Sequence, residues 1–450
     1  FIIVWTLVLL VIKKENFSKF VIGLTIVCMT FCEVIVGDSK SYLFTQEQTP
    51  YVEKMDTMAD AVNYLKEKDK GFYRTELTYL NTRMDPCIYN YNGISTFSSM
   101  AYQEYSQTQF NLGMFGNRIN SYTYNTQTPV YNMMYAIKYL IKDSSSLDLS
   151  ENYYKKIYTT KDSSKTSVYE NKYSLPIAFV ASKSLENWND IEGNPFEVQE
   201  DLIDKATGVS NVFVPVEYTG TESYNATCEE VNQNGAFFVD DIEENTGASV
   251  DVLFKSVKDG NVYIYVTSNE IENINYYWSD GTKTTYQSIV EPYILDLGYH
   301  KAGDEIKAIL DLNGITSSSA SFNIYAYNID NTVLESAYEM LSLGQMNIEK
   351  HSDTKLEGKI NAGYDGYLYT SIPYDEGWKI YIDGHEVKTF EIGESQLASA
   401  IKQGKHKIKL VYSPKGLSYG LPISAAAWVG VFGYELLKRI KKSKKAQEQL

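Results

Sequence analysis

The sequence predicts a membrane-anchored α+β protein. Transmembrane helices flank an external mixed α/β region, which is followed by a β-sandwich, jelly-roll-like region. Three observations carry this. Apolar runs at residues 20–36 and 421–437 stand near the two ends of the 450-residue chain. The stretch between them is polar, mixing helical and extended patterns at first and then breaking into short extended runs separated by Gly, Asn and Asp turns. Basic residues gather at one side of each apolar run: Lys13, Lys14 and Lys19 before the first, and Lys438, Arg439, Lys441, Lys442, Lys444 and Lys445 after the last.

Residues 1–12 are also apolar, but a helix needs about 20 residues to cross the hydrocarbon core. A secretory signal carries its basic end before the apolar run, whereas Lys13 and Lys14 follow it here. Residues 1–37 therefore read as the end of a longer transmembrane region, one truncated helix and one complete. The positive-inside rule places both basic clusters in the cytoplasm. Residues 38–420 are then extracellular, 421–437 form the C-terminal transmembrane helix, and 438–450 form a basic cytoplasmic tail.

The chain has 41 basic and 57 acidic residues. Setting aside nine basic and four acidic residues in the spans and tail leaves 32 against 53 outside, a net of −21. Such a surface repels polyanions, which excludes nucleic acid as a partner, while the apolar runs make the lipid bilayer one. Cys28 and Cys32 lie inside an apolar run, while Cys87 and Cys228 are external and able to form one disulfide. Two external cysteines do not make a disulfide framework. No CxxC or His-rich metal pattern occurs, so the expected metal is none. No cofactor motif is present, since a Gly-rich phosphate loop and a Gly-x-Ser-x-Gly elbow are both lacking.

Along the external region, Val52, Met55, Met58, Val62 and Leu65 recur at helical spacing, and Gly71 ends that helix. Residues 72–77 and 87–92 read as strands, 93–99 as a loop or helix start, and 100–109 as helix. Residues 112–128 read as irregular loop and 130–141 as helix, with short extended runs at 153–158, 166–170 and 178–181. These make residues 38–200 a mixed α/β domain, closed by a helix over 190–204. Residues 201–420 form the β-sandwich region, with a helix inserted at 334–346. The strands over 355–412 either complete that sandwich or build a second sheet.

The densest polar constellation supplies the candidate substrate-binding residues: Arg83, Asn92, Ser98, Ser99, Tyr102, Asn117, Arg118 and Tyr122. Long polar and aromatic loops in compact domains often carry function. Only four arginines occur in the chain. A guanidinium grips phosphate or carboxylate through two parallel bonds, and a structural salt bridge uses the same geometry. The 39 tyrosines suit sugar stacking, strand packing or an interfacial belt equally. The carboxylate pairs Asp240-Asp241 and Glu229-Glu230 are adjacent on extended backbone and point to opposite faces, so they are poor catalytic dyads.

One stretch carries a family likeness. Ser371-Ile-Pro-Tyr-Asp-Glu-Gly-Trp-Lys-Ile-Tyr-Ile-Asp-Gly384 is followed by Gly404-Lys-His-Lys-Ile-Lys-Leu-Val-Tyr-Ser-Pro414, then Gly420 and the last apolar run. With Phe72-Tyr-Arg74, Asn92-Gly-Ile-Ser-Thr-Phe-Ser-Ser99 and Ile137-Lys-Tyr-Leu-Ile141, it resembles the C-terminal part of the YfhO-like bacterial membrane protein family. The resemblance implies a multi-spanning, GT-C-type glycosyltransferase that moves a sugar from a polyprenyl-phosphate carrier to a teichoic-acid-like envelope polymer. It places the catalytic acid in a first external loop upstream of this sequence, so no catalytic residue carries over. Residues 38–420 are then expected to cap the active site and select acceptor. The competing reading is a non-catalytic anchored surface protein whose β-modules bind glycan or a protein partner.

Overall fold

The computed structural model describes residues 5–6, 10, 18–42, 52–79, 81–143, 148–161, 165–188, 193–232, 235–243 and 246–447. The apolar run at 1–12 lies largely outside the described residues, as does the expected helix start at 190. The chain divides into two compact units, Phe1–Asp56 and Thr57–Leu450. In the first, the helix Lys19–Tyr42 contains an apolar span at Phe20–Ser39 of mean hydropathy 2.3. Within that span Glu33 accepts a 3.0 Å hydrogen bond from the Trp5 indole N–H.

The second unit ends in the helix Leu417–Gln447, whose span Leu417–Lys441 has mean hydropathy 1.3. Both helices are long and apolar enough to cross a bilayer. Leu421, Ile423, Val429 and Phe432 all lie exposed, as side chains meant for lipid must.

The β-rich body has three parts. The first is a four-stranded sheet in the order Arg74–Leu77, Ile137–Lys142, Ser167–Asn171, Tyr154–Thr159. The helix Met55–Lys68 buries Met58, Ala61, Val62 and Leu65 on it, the residues whose spacing predicts that helix. Residues 137–141 form a strand rather than the end of a helix. The helix Pro129–Met134 stops at Tyr135, and Ala136 takes φ +59°, which no helix tolerates. The apolar run there is buried on every side, so its spacing mimics a helical stripe. Residues 87–92 likewise differ from expectation: Asp85–Tyr89 is a short helix begun by Pro86 and ended by Asn90 at φ +57°. The stretch 112–128 is ordered, with Phe115–Gly116 and Ser121–Thr123 pairing beside Thr96–Phe97 in a three-stranded sheet.

The second part spans 213–329 and packs a five-stranded antiparallel sheet against a six-stranded one. The five-stranded order is Glu217–Tyr224, Ser249–Lys255, Glu305–Asp311, Asn273–Tyr277, Lys283–Tyr286. Alternating Val250, Val252, Val262, Ile264, Ala308 and Leu310 fill the space between the sheets.

The third part settles the fate of the last strands, which build a separate two-sheet unit. One sheet holds Asn347–Ser352, Lys355–Ala362, Gly404–Tyr412, Trp378–Ile382 and His385–Val387. The other holds Thr389–Ile392, Gln396–Ile401, Gly366–Pro373 and, from far upstream, Ala178–Ala181. Asp383 and Gly384, at φ +53° and +88°, make the tight turn between Trp378–Ile382 and His385–Val387. Trp378 is half-buried against Tyr412 at the edge of this core.

A central core joins the three parts. It contains Tyr131, Trp188, Phe196, Tyr263, Leu334 and Tyr369, contributed by all of them.

Candidate functional site

The sequence-predicted site residues do not form one cluster. Arg83 donates to Ser121 Oγ at 3.0 Å and to Glu291 at 2.8 Å, with its guanidinium over the Phe115 ring. It is a structural clamp between the three-stranded sheet and the first two-sheet unit. Tyr122 is buried against Tyr105, and burial raises its pKa. Tyr102 donates a 2.5 Å hydrogen bond to Asp375, docking its helix start on the second two-sheet unit. Ser98 closes a turn through its hydroxyl to the Met100 N–H, and Ser99 is exposed. Asn92 is exposed at a separate pocket treated below.

Asn117 and Arg118 stand apart from the rest. The Asn117 side-chain oxygen accepts from the backbone N–H groups of Ile119, Asn120 and Ser121 at 3.0–3.1 Å. That knot fixes a tight turn and holds Arg118 at φ +62°, a conformation that costs an L-residue roughly 1–2 kcal/mol. The Arg118 guanidinium lies over the Phe110 ring, 4.0 Å from its centroid. Among the described residues it has no ion-pair partner.

Two clefts of about 600 and 690 Å³ meet at this arginine, and both are walled by Phe110, Phe237 and Thr267. Their floor is the outward face of the six-stranded sheet. In the larger cleft Tyr265 pairs across strands with Tyr325, and Tyr327 stands beside them with its cross-strand partner Tyr263 buried in the core beneath. Asn194 and Glu197, at the start of the helix Pro195–Thr207, approach the Tyr327 hydroxyl at 3.4 and 3.5 Å. Aromatic faces, amides, carboxylates and one unpaired guanidinium are the side chains that grip hydroxyl-rich and anionic polymers.

Sequence reasoning missed Phe110, Tyr265, Tyr325, Tyr327, Asn194 and Glu197. A signal existed for the tyrosines: Tyr263-Ile-Tyr265 and Tyr325-Ala-Tyr327 alternate on extended backbone, which puts each pair on one face. Nothing local predicts that Arg118 lands beside them.

Glu76 was also missed. It is 1 % exposed, and its carboxyl accepts from the Ile94 N–H, the Ser95 N–H at 2.9 Å and the Ser95 hydroxyl at 2.8 Å. Burial pushes its pKa up from 4.5 to about 7, partly offset by these hydrogen bonds and by the charge of Arg74. The folded protein thus holds this proton across a window in which the unfolded chain has released it. The contribution to stability is complete below pH 4.5 and is lost as pH rises to about 7, a change of about 3 kcal/mol. Comparing melting temperatures from pH 4.5 to 7.5, Glu76→Gln is expected to flatten this part of the profile. A difference curve with no slope between the two proteins would refute it.

Cys87 and Cys228 are both free. Among the described residues no group of three or more His, Cys, Asp or Glu side chains is placed to hold a metal ion.

Comparison with known proteins places the chain. A search of curated proteins finds no match. Among solved structures, a mutant of a carbohydrate-binding module of family 29 matches at 16% identity and a TM-score of 0.18, covering 27% of this chain and 84% of that one. A carbohydrate-binding module from Cellvibrio mixtus lichenase 5A, in complex with cellotriose, matches at 12% identity and a TM-score of 0.18, over 27% of this chain and 100% of that one. A conserved protein of unknown function from Pseudomonas aeruginosa PAO1 matches at 8% identity and a TM-score of 0.14, over 43% and 93%. The family model described as bacterial membrane protein YfhO matches residues 1–424. The chain, with its two apolar helices and its β-rich body, belongs to the YfhO family of bacterial membrane proteins.

Proposed function

We propose that residues 38–420 are the extracellular part of a membrane glycosyltransferase, with the tail after residue 437 in the cytoplasm. The enzyme transfers a sugar from a polyprenyl-phosphate carrier to a teichoic-acid-like envelope polymer. The two clefts around Arg118 receive the acceptor. The observation that carries this reading is the unpaired Arg118 guanidinium stacked on Phe110 where the clefts meet. In a region of net charge −21, an arginine with no ion-pair partner among the described residues is a selective anchor for an anionic chain, and the tyrosines of the larger cleft offer faces for its sugars. Phosphate or carboxylate groups of the polymer would meet Arg118, with sugar hydroxyls against Asn194, Glu197 and Tyr327. The closing helix Leu417–Gln447 keeps this body beside the bilayer, where a lipid-borne donor resides.

In cells making the full-length protein, Arg118→Ala is expected to reduce sugar incorporation into the envelope polymer at least tenfold at unchanged membrane protein level. Arg118→Lys should recover part of it, because a point charge replaces the bidentate fork. Wild-type incorporation by Arg118→Ala would remove the acceptor role from the clefts. Unchanged incorporation when the whole gene is deleted would remove the glycosyltransferase itself and leave an anchored glycan-binding surface protein.

A further inference from the structure

A smaller pocket lies away from those clefts, where four segments meet. Its walls come from the end of the helix Met55–Lys68, the turn at Gly71, the loop after Asp85–Tyr89 and His351 on the strand Asn347–Ser352. Its volume is about 280 Å³, the small end of ligand pockets and room for one ring-sized molecule.

Two features mark it as built for a ligand. First, Thr75 and Tyr91 both line it, and the hydroxyls of both are buried without a hydrogen-bond partner among the described residues. Thr75 is fully buried. Unpaired buried hydroxyls are costly and few in folded proteins. Second, its cations are unneutralised. Lys66 Nζ donates to the Asn90 carbonyl at 2.8 Å and Lys70 Nζ to the Lys66 carbonyl at 2.6 Å, with no carboxylate on either among the described residues. Asp69, the carboxylate in the lining, is already engaged by Lys138 at 2.6 Å, the Tyr139 hydroxyl at 3.1 Å and the Gly71 N–H at 2.8 Å. Those bonds hold its pKa below the usual range against the opposing effect of burial, so it stays a satisfied anion. What remains unmet is positive charge at the rim and hydroxyl hydrogen bonding at the wall.

We propose that this pocket binds a small hydroxylated anion, a single sugar phosphate or sugar acid, with Lys66 and Lys70 on the anionic group and Thr75 and Tyr91 on ligand hydroxyls. The site is independent of the Arg118 clefts. It joins the helix Met55–Lys68 to the second two-sheet unit through His351, so an occupant would tie those parts together.

The test uses the full chain in detergent micelles, titrated calorimetrically with glucose 1-phosphate, glucuronate, glucose and inorganic phosphate. Glucose 1-phosphate or glucuronate is expected to bind, whichever is tighter naming the anionic group, and to bind at least tenfold more tightly than glucose or phosphate. Lys66→Gln with Lys70→Gln is expected to raise Kd at least tenfold. Thr75→Val, which removes an unpaired hydroxyl without changing shape, is expected to weaken binding about fivefold while keeping the melting temperature at or above wild type. Three results would each overturn the proposal: no binding of either sugar anion at millimolar concentration, equal binding of inorganic phosphate, or affinities that neither variant changes.

Discussion

Replacing Arg74 by Met is expected to loosen the joint between the four-stranded sheet and the second two-sheet unit by about 3–5 kcal/mol. Arg74 is 8 % exposed. Its Nη1 donates to the Tyr135 carbonyl at 2.8 Å and to Ser371 Oγ at 2.7 Å, and its Nη2 donates to the Ser371 carbonyl at 3.0 Å. Ser371 lies on Gly366–Pro373, so one guanidinium holds two sheets that share no strand. Met fills the space but leaves two buried carbonyls and a hydroxyl without their donor, each a desolvation cost of about 1–3 kcal/mol. Loss of the positive charge also removes a force that lowers the Glu76 pKa, so that carboxyl should hold its proton to still higher pH. Native-state hydrogen exchange at Arg74–Leu77 and Gly366–Pro373 should speed up by two or more orders of magnitude. Arg74→Lys should fall between, because one ammonium cannot span three acceptors. Wild-type protection in Arg74→Met would show that the joint rests on packing alone.

The second large effect centres on Trp188. Its ring is fully buried, its indole N–H reaches the Val198 carbonyl at 3.3 Å, and its edge lies against Gly393. A Cβ on Gly393 would sit 2.2 Å from the ring, and Gly393 has φ +57°. The Gly393 carbonyl accepts from Thr108 at 3.2 Å and Ser395 at 3.0 Å, so this backbone cannot easily retreat. Gly393→Ala is therefore expected to cost about 1–3 kcal/mol for overpacking, with roughly 1–2 more for the backbone. Trp188→Ala should cost about 3–5 kcal/mol through the cavity it leaves. The double variant should be less destabilised than the sum by 1 kcal/mol or more, because the new methyl enters the space the indole vacates. Simple additivity in urea unfolding would show that the two positions do not share that space.

The two apolar helices were legible because hydropathy is a local property, and so was the run of short strands in the second half. Two kinds of feature were not. A strand buried on both faces shows no clean two-residue alternation, and the apolar residues of Ile137–Lys142 continue a helical spacing, so the segment reads as helix in sequence and is a central strand in the fold. Tyrosine was ambiguous for the same reason. Tyr131, Tyr135, Tyr153 and Tyr369 went into the core, whereas Tyr325 and Tyr327 remained partly open on the cleft floor. No composition count separates these fates. Of the polar constellation, Arg83 and Tyr102 join parts of the fold, and Asn117 and Arg118 reached the clefts. The difference lies in Asn117, whose side chain folds the turn, and in Phe110, which receives the guanidinium.

The short strand Ala178–Ala181 has a consequence for the order of biosynthesis. It pairs with Tyr367–Thr370, and the first two-sheet unit lies wholly between these partners in sequence. As the chain leaves the ribosome, residues 213–329 can complete their own pairing while Ala178–Ala181 still has an open edge. Until the last strands and the final helix emerge, that edge stays exposed and apolar, a hazard for mispairing. A chain arrested before residue 366 would carry a finished insert inside an unfinished host, a natural point for chaperone surveillance at the membrane.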